Sequence, residues 1–146
     1  MPRLSLWLVR TALIWLGIGQ TLGGLVLANK GVPLFPWLWT LRTSHIHILL
    51  IGWTVQLAFG VAFWILPRLG GGSRGNERLI VLCYAALNLG VLLAALHDPL
   101  ASVAGYDALW PLPVLTGLLY VVAAAAFLVH AYPRVLPLPT VPLDKP

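Results

Sequence analysis

Charge is scarce in this sequence. Of 146 residues, 9% are charged and only four are acidic, where a soluble domain of this length carries about 25% charged residues. So few charges cannot keep a water-facing surface wet, and lipid must cover most of it. Thiol and thioether are scarcer still, with one cysteine and one methionine. A single cysteine excludes an internal disulfide and a cysteine-rich metal site. Cys83 lies inside an apolar run and reads as packing. The lack of methionine beyond Met1 counts against copper(I), whose soft ligands are Cys and Met. No low-complexity segment or convincing internal repeat interrupts the chain.

What remains is 60% hydrophobic, with a mean hydropathy of +0.90. Crossing ~30 Å of hydrocarbon takes a helix of roughly 20 apolar residues. Four segments qualify, at about 6–28, 43–66, 77–97 and 113–132. Breakers separate them: Gly31-Val32-Pro33 and Phe35-Pro36, then Pro67 with Gly70, Gly71 and Gly72, then Asp98-Pro99. Pro111 and Pro113 suit a helix's first turn, and Asn76 suits the N-cap of the third span. The reading is all-α: a single integral membrane four-helix bundle over 1–146, with an irregular proline-rich tail from 135 to 146. The first span has the length of a membrane helix rather than a signal peptide and contains Arg10.

The net charge of +5 sits between the apolar runs, where it orients a membrane protein rather than binding nucleic acid. With the N-terminus inside, Arg3, Arg10, Arg68, Arg74, Arg78, Arg134 and Lys145 collect on the inner side. Lys30 and Arg42 stay outside. Seven against two predicts both termini cytoplasmic and a multi-pass inner-membrane location. Phe35-Pro36-Trp37-Leu38-Trp39 is expected as an aromatic interfacial loop.

The second span carries the chemistry. It reads Arg42-Thr43-Ser44-His45-Ile46-His47 and continues through Gly52, Trp53, Gln56 and Gly60 to Pro67. Polar groups at membrane depth are costly unless partnered and are functional suspects by default. Residues two apart point about 200° from each other around a helix. His45 and His47 therefore cannot chelate one ion from a regular helix, but each can serve a different neighbour. On a regular helix His45 shares its face with Gly52, Gln56 and Phe59, and a small residue below a histidine leaves room for a flat ligand. His47 shares the opposite face with Thr54 and Ala58.

The pattern His-x-His, with Gly60 fifteen residues and Pro67 twenty-two residues after His45, resembles one helix of the haem–copper oxidase catalytic subunit. Leu41-Arg42-Thr43-Ser44-His45 looks like the haem-ligand helix of bacterial nitric oxide reductase. His45, His47, Gly52 and Trp53 resemble a family of membrane haem proteins linked to nitric-oxide stress, and small four-span relatives of the oxidase subunit. The fourth span, from Thr116-Gly117 to Tyr132-Pro133-Arg134, looks like the closing helix of those relatives. The resemblance implies a membrane b-type haem protein with His45 and His47 as iron ligands, serving electron transport or diatomic gas (O2 or NO) binding. It also implies haem held between protomers of a homo-oligomer, and a respiratory-chain partner.

The three further copper histidines of an oxidase centre have no counterpart, which counts against full oxidase chemistry. His97 is the other histidine expected at the outer surface and is a further candidate ligand. Arg42 is a candidate partner for a haem propionate, whereas His130 falls near the inner end. Two other readings stay open. One is a non-catalytic subunit or assembly factor of a respiratory complex, in which the histidines are structural. The other is a copper protein using His45, His47 and His97. Arg10, Gln20 and Asn88 are expected as interhelical partners or snorkelling groups. Gly19-x-x-x-Gly23 is expected as a close-packing surface for another helix.

Overall fold

The computed structural model describes residues 1–33, 35–69 and 72–136. Among them are four helices long and apolar enough to cross a membrane: α1 (Arg3–Gly31), α2 (Pro36–Ile65), α3 (Glu77–Ala104) and α4 (Pro111–Val135). The expected breakers Gly70 and Gly71, Lys145 and the tail beyond 136 lie outside the described residues.

The ends follow local chemistry. Asn76 caps α3 as expected, its side chain accepting from the Arg78 amide at 3.0 Å. Glu77 adds a favourable charge in the first turn. Pro111 and Pro113 open α4 where no intrahelical amide is needed. Gly105 stops α3 at φ 91°, a conformation that favours glycine.

Two boundaries differ from expectation. The segment Pro36–Thr40 is no separate aromatic loop but a 3₁₀ turn running straight into α2, with Trp37 and Trp39 exposed beside it. The third helix does not end at Asp98-Pro99 but continues through Pro99 to Ala104. Proline at 99 removes the bond to the Ala95 carbonyl four residues back. The Ser44 hydroxyl from α2 donates to that same carbonyl at 2.5 Å, so the helix survives and gains a tie to its neighbour.

The helices α2 and α3 form the centre, flanked by α1 on one side and α4 on the other. Small residues let them close: Ala86, Cys83, Ala123 and Ala126 make the buried seam between α3 and α4, as membrane helices without a hydrophobic drive between them require. The Phe59 and Phe127 rings stack beside it at 3.9 Å. Hydrogen bonds bind α1 inward. Ser5 donates to the Gly60 carbonyl at 2.7 Å, Gln56 to the Leu8 carbonyl at 3.2 Å, and Trp15 to Asn88 at 2.8 Å. Asn88 is thus the expected interhelical partner, while Arg10 and Gln20 are exposed. Leucine and valine side chains face outward around the bundle, Leu27 at 70% exposure among them, a surface suited to lipid.

At the end of the bundle away from His45 and His47, Arg134, 3% exposed, reaches across to the end of α2. It donates to the carbonyls of Phe63, Leu66 and Pro67 at 3.1, 2.6 and 2.9 Å. These belong to the last turn and the residues just beyond it, where helix carbonyls lack internal partners. Its third nitrogen meets His130 Nε2 at 3.0 Å. Charge counting alone placed Arg134 at the interface; it is a buried staple.

Candidate haem pocket and a second cavity

The helix α2 is not regular. Ile48–Val55, immediately after His47, is π-helical, a form rare in proteins and frequent at functional sites. A π turn amounts to one extra residue, so everything beyond it is set back by roughly 100°. Phe59, expected on the His45 face, is carried to the His47 face and meets Phe127 of α4. Gly52, Gln56 and Gly60 keep to the α1 side, touching Trp15, Leu8 and Val9.

The two histidines serve opposite flanks, as their spacing predicts. His45 turns to α1: its Nδ1 pairs with the Gly19 carbonyl at 2.8 Å. The ring lies directly on Gly23, where an added Cβ would come within 2.7 Å of Nδ1. Gly19 itself receives Leu49 and Ile48. The Gly19-x-x-x-Gly23 surface is therefore taken up by α2 of the same chain and leaves no glycine face there for a second copy.

A carbonyl accepts only, so Nδ1 of His45 carries the proton and Nε2 keeps its lone pair. Nε2 bonds to nothing among the described residues and is not sealed off. Metal-binding imidazoles are oriented in this way, one nitrogen donating to a carbonyl and the other free for the metal. The pocket beside His45, about 470 Å³, is also lined by Arg42, Lys30 and Trp39. Its size falls within the ~300–1,000 Å³ of ligand sites. An imidazole, two cations and a flat aromatic fit a porphyrin carrying two carboxylates.

His47 turns to α4. Its Nδ1 lies 3.3 Å from the Tyr120 hydroxyl, and the two rings stack at 5.9 Å. His97 joins it in a separate cavity of about 310 Å³ between α2, α3 and α4. The Asp98 carboxylate accepts from His97 Nδ1 at 2.7 Å. The expected common depth of the three outer histidines thus gives two groupings, His45 with Arg42 and His47 with His97. A copper site formed by all three within one chain does not arise, and among the described residues no three His, Cys, Asp or Glu side chains cluster as metal ligands.

Gly52 enters neither pocket. An added Cβ there would come within 2.9 Å of Trp15 and 3.2 Å of Val91, so its missing side chain makes room for helices rather than a ligand. His130 is fully used at the Arg134 end of the bundle: Nδ1 meets the Asn76 carbonyl at 3.1 Å and Nε2 meets Arg134. Lys30 was read only as an outer charge. Its position beside His45 depends on α1 and α2 meeting, which no local signal announces. No protein-family model, curated protein or solved structure shows a significant match to this chain.

Proposed function

We propose that this chain is a small membrane b-type haem protein in which His45 is an axial ligand of the iron. The observation that carries the reading is the orientation of His45. Its Nδ1 is held by Gly19, which leaves Nε2 unpaired among the described residues, and its ring lines a pocket with Arg42 and Lys30. The two cations are positioned to meet the propionates through charge-assisted bonds. The His-x-His resemblance points the same way. When bound, the haem supplies one-electron transfer or a site for a diatomic gas; the chain supplies the ligand, the counter-charge and an apolar surround.

The resemblance implies a second haem at His47, but the geometry favours His45. Among the described residues no lysine or arginine lines the His47 cavity, so two propionates there would lack counter-charge from them. The His45 pocket has walls from α1 and α2 alone, leaving one porphyrin face for a second copy of the chain to cover. Closed homo-oligomers with such a contact are the common solution. The excess of basic residues between the spans supports a reading with both termini in the cytoplasm and the chain in the inner membrane.

The test compares His45→Ala with His47→Ala in protein purified from haem-replete cells. Haem content falls to background in the first and stays near one haem per chain in the second. Retention of a full haem complement by His45→Ala removes the proposal.

A further inference from the structure

The cavity at His47 shares no lining residue with the His45 pocket, so what it binds is independent of the haem reading. Its polar groups are unspent. His97 donates through Nδ1 to Asp98, leaving Nε2 as an open acceptor. The Tyr120 hydroxyl pairs with His47 Nδ1 at 3.3 Å; in the tautomer in which the tyrosine donates, the His47 proton sits on Nε2, which is then a donor. On the α4 wall Thr116, 5% exposed, carries a buried hydroxyl with no hydrogen-bond partner among the described residues. In a helix threonine divides between two rotamers, so a single χ1 rotation re-aims the hydroxyl. An orphan hydroxyl in an apolar wall is costly until something pairs with it.

Size and charge narrow the occupant. A volume of about 310 Å³ equals roughly ten water molecules at ~30 Å³ each, far more than an ion and its remaining waters need. It stands at the small end of organic-ligand sites, ~300–1,000 Å³. An anion would find no lysine or arginine among the described lining residues. A transition-metal ion would find two imidazoles and no third ligand group, none being clustered among the described residues. Ala94 and Pro113 add apolar walls, and the cavity lies in membrane-spanning helices where lipid-soluble molecules have access.

The fitting ligand is neutral, flat and apolar, with oxygens at opposite edges that both donate and accept. We propose that this cavity binds the ring of a lipid-soluble quinol. One hydroxyl donates to His97 Nε2, and the opposite oxygen accepts from His47 and Thr116. The tail leaves the cavity into the bilayer.

The test is anaerobic calorimetric titration of the purified full-length chain in detergent with decylubiquinol. Saturable binding of one molecule per chain is expected. Thr116→Val keeps the side-chain shape and weakens binding by about 3- to 10-fold through loss of one hydrogen bond. Thr54→Val, the same exchange on the exposed face of α2, leaves binding unchanged. His97→Gln weakens binding further, and should it fail to fold, the two threonine variants still decide. Non-saturable uptake that follows detergent concentration overturns the proposal, as does equal affinity in Thr116→Val and Thr54→Val. One equivalent of zinc bound through His47 and His97 by a chain that takes up no quinol overturns it too, identifying a metal site. A chain that binds quinol but no haem would leave this inference standing while removing the haem reading.

Discussion

Adjacent glycines on α1 give the sharpest perturbation of the His45 site. At Gly23 an alanine methyl would lie 2.7 Å from His45 Nδ1 and closer still to Cε1, inside the distance any real side chain tolerates. The imidazole must move, and moving it breaks the 2.8 Å bond to the Gly19 carbonyl. The strain and the lost hydrogen bond destabilise the fold by about 1–3 kcal/mol. The larger effect is on the ligand, because disturbing the partner that orients a metal-binding histidine lowers affinity about 10- to 100-fold. One residue on, a Cβ at Gly24 meets nothing within 4 Å. Gly24→Ala is therefore neutral, or stabilising by about 0.5–1 kcal/mol through higher helix propensity. Haem titration of both purified variants, followed at the Soret band alongside thermal unfolding, separates the two. Wild-type affinity in Gly23→Ala, or an equal loss in Gly24→Ala, refutes the placement of His45.

The tie between Ser44 and the proline-freed Ala95 carbonyl predicts a coupled pair. Ser44→Ala costs about 1–3 kcal/mol alone and markedly less in a Pro99→Ala background, where the amide restored at position 99 satisfies the carbonyl. Denaturant titrations of the four proteins check this, and equal costs in both backgrounds contradict it. Arg134→Leu removes the Arg134 bonds to the Phe63, Leu66 and Pro67 carbonyls at the end of α2 and destabilises the bundle by about 1.5–3 kcal/mol or more. Haem affinity measured on the folded fraction stays unchanged, because the site is at the other end; a selective loss of haem would contradict that separation. A reporter fused after Lys145 is expected to work in the cytoplasm, and activity only in the periplasm refutes the topology.

The spans, their order and the opposed directions of His45 and His47 were legible because membrane thickness and helical periodicity act locally. The expected depth of His97 followed from the same counting. The π segment was not legible: Ile48–Val55 has an ordinary apolar sequence, and its extra residue is fixed by packing against α1 and α3. That is why Phe59 falls on the other face from the one a regular helix predicts. Pro99 misled for a related reason. A proline inside a helix frees the carbonyl four residues back, and here the donor that meets it comes from Ser44, 51 positions before Ala95. Arg134 followed the charge rule in its position but not its burial, since the carbonyls that hold it belong to another helix. The glycines of α1 were recognised as a packing surface, but their partner proved to be α2 of the same chain.

The most direct measurement is the optical spectrum of the purified chain, oxidised and then reduced with dithionite. The account predicts a Soret band with α and β bands that sharpen on reduction, at about one haem per chain, and their loss in His45→Ala with retention in His47→Ala. A colourless protein from haem-replete cells that also takes up no added haem, or a spectrum untouched by His45→Ala, would contradict it.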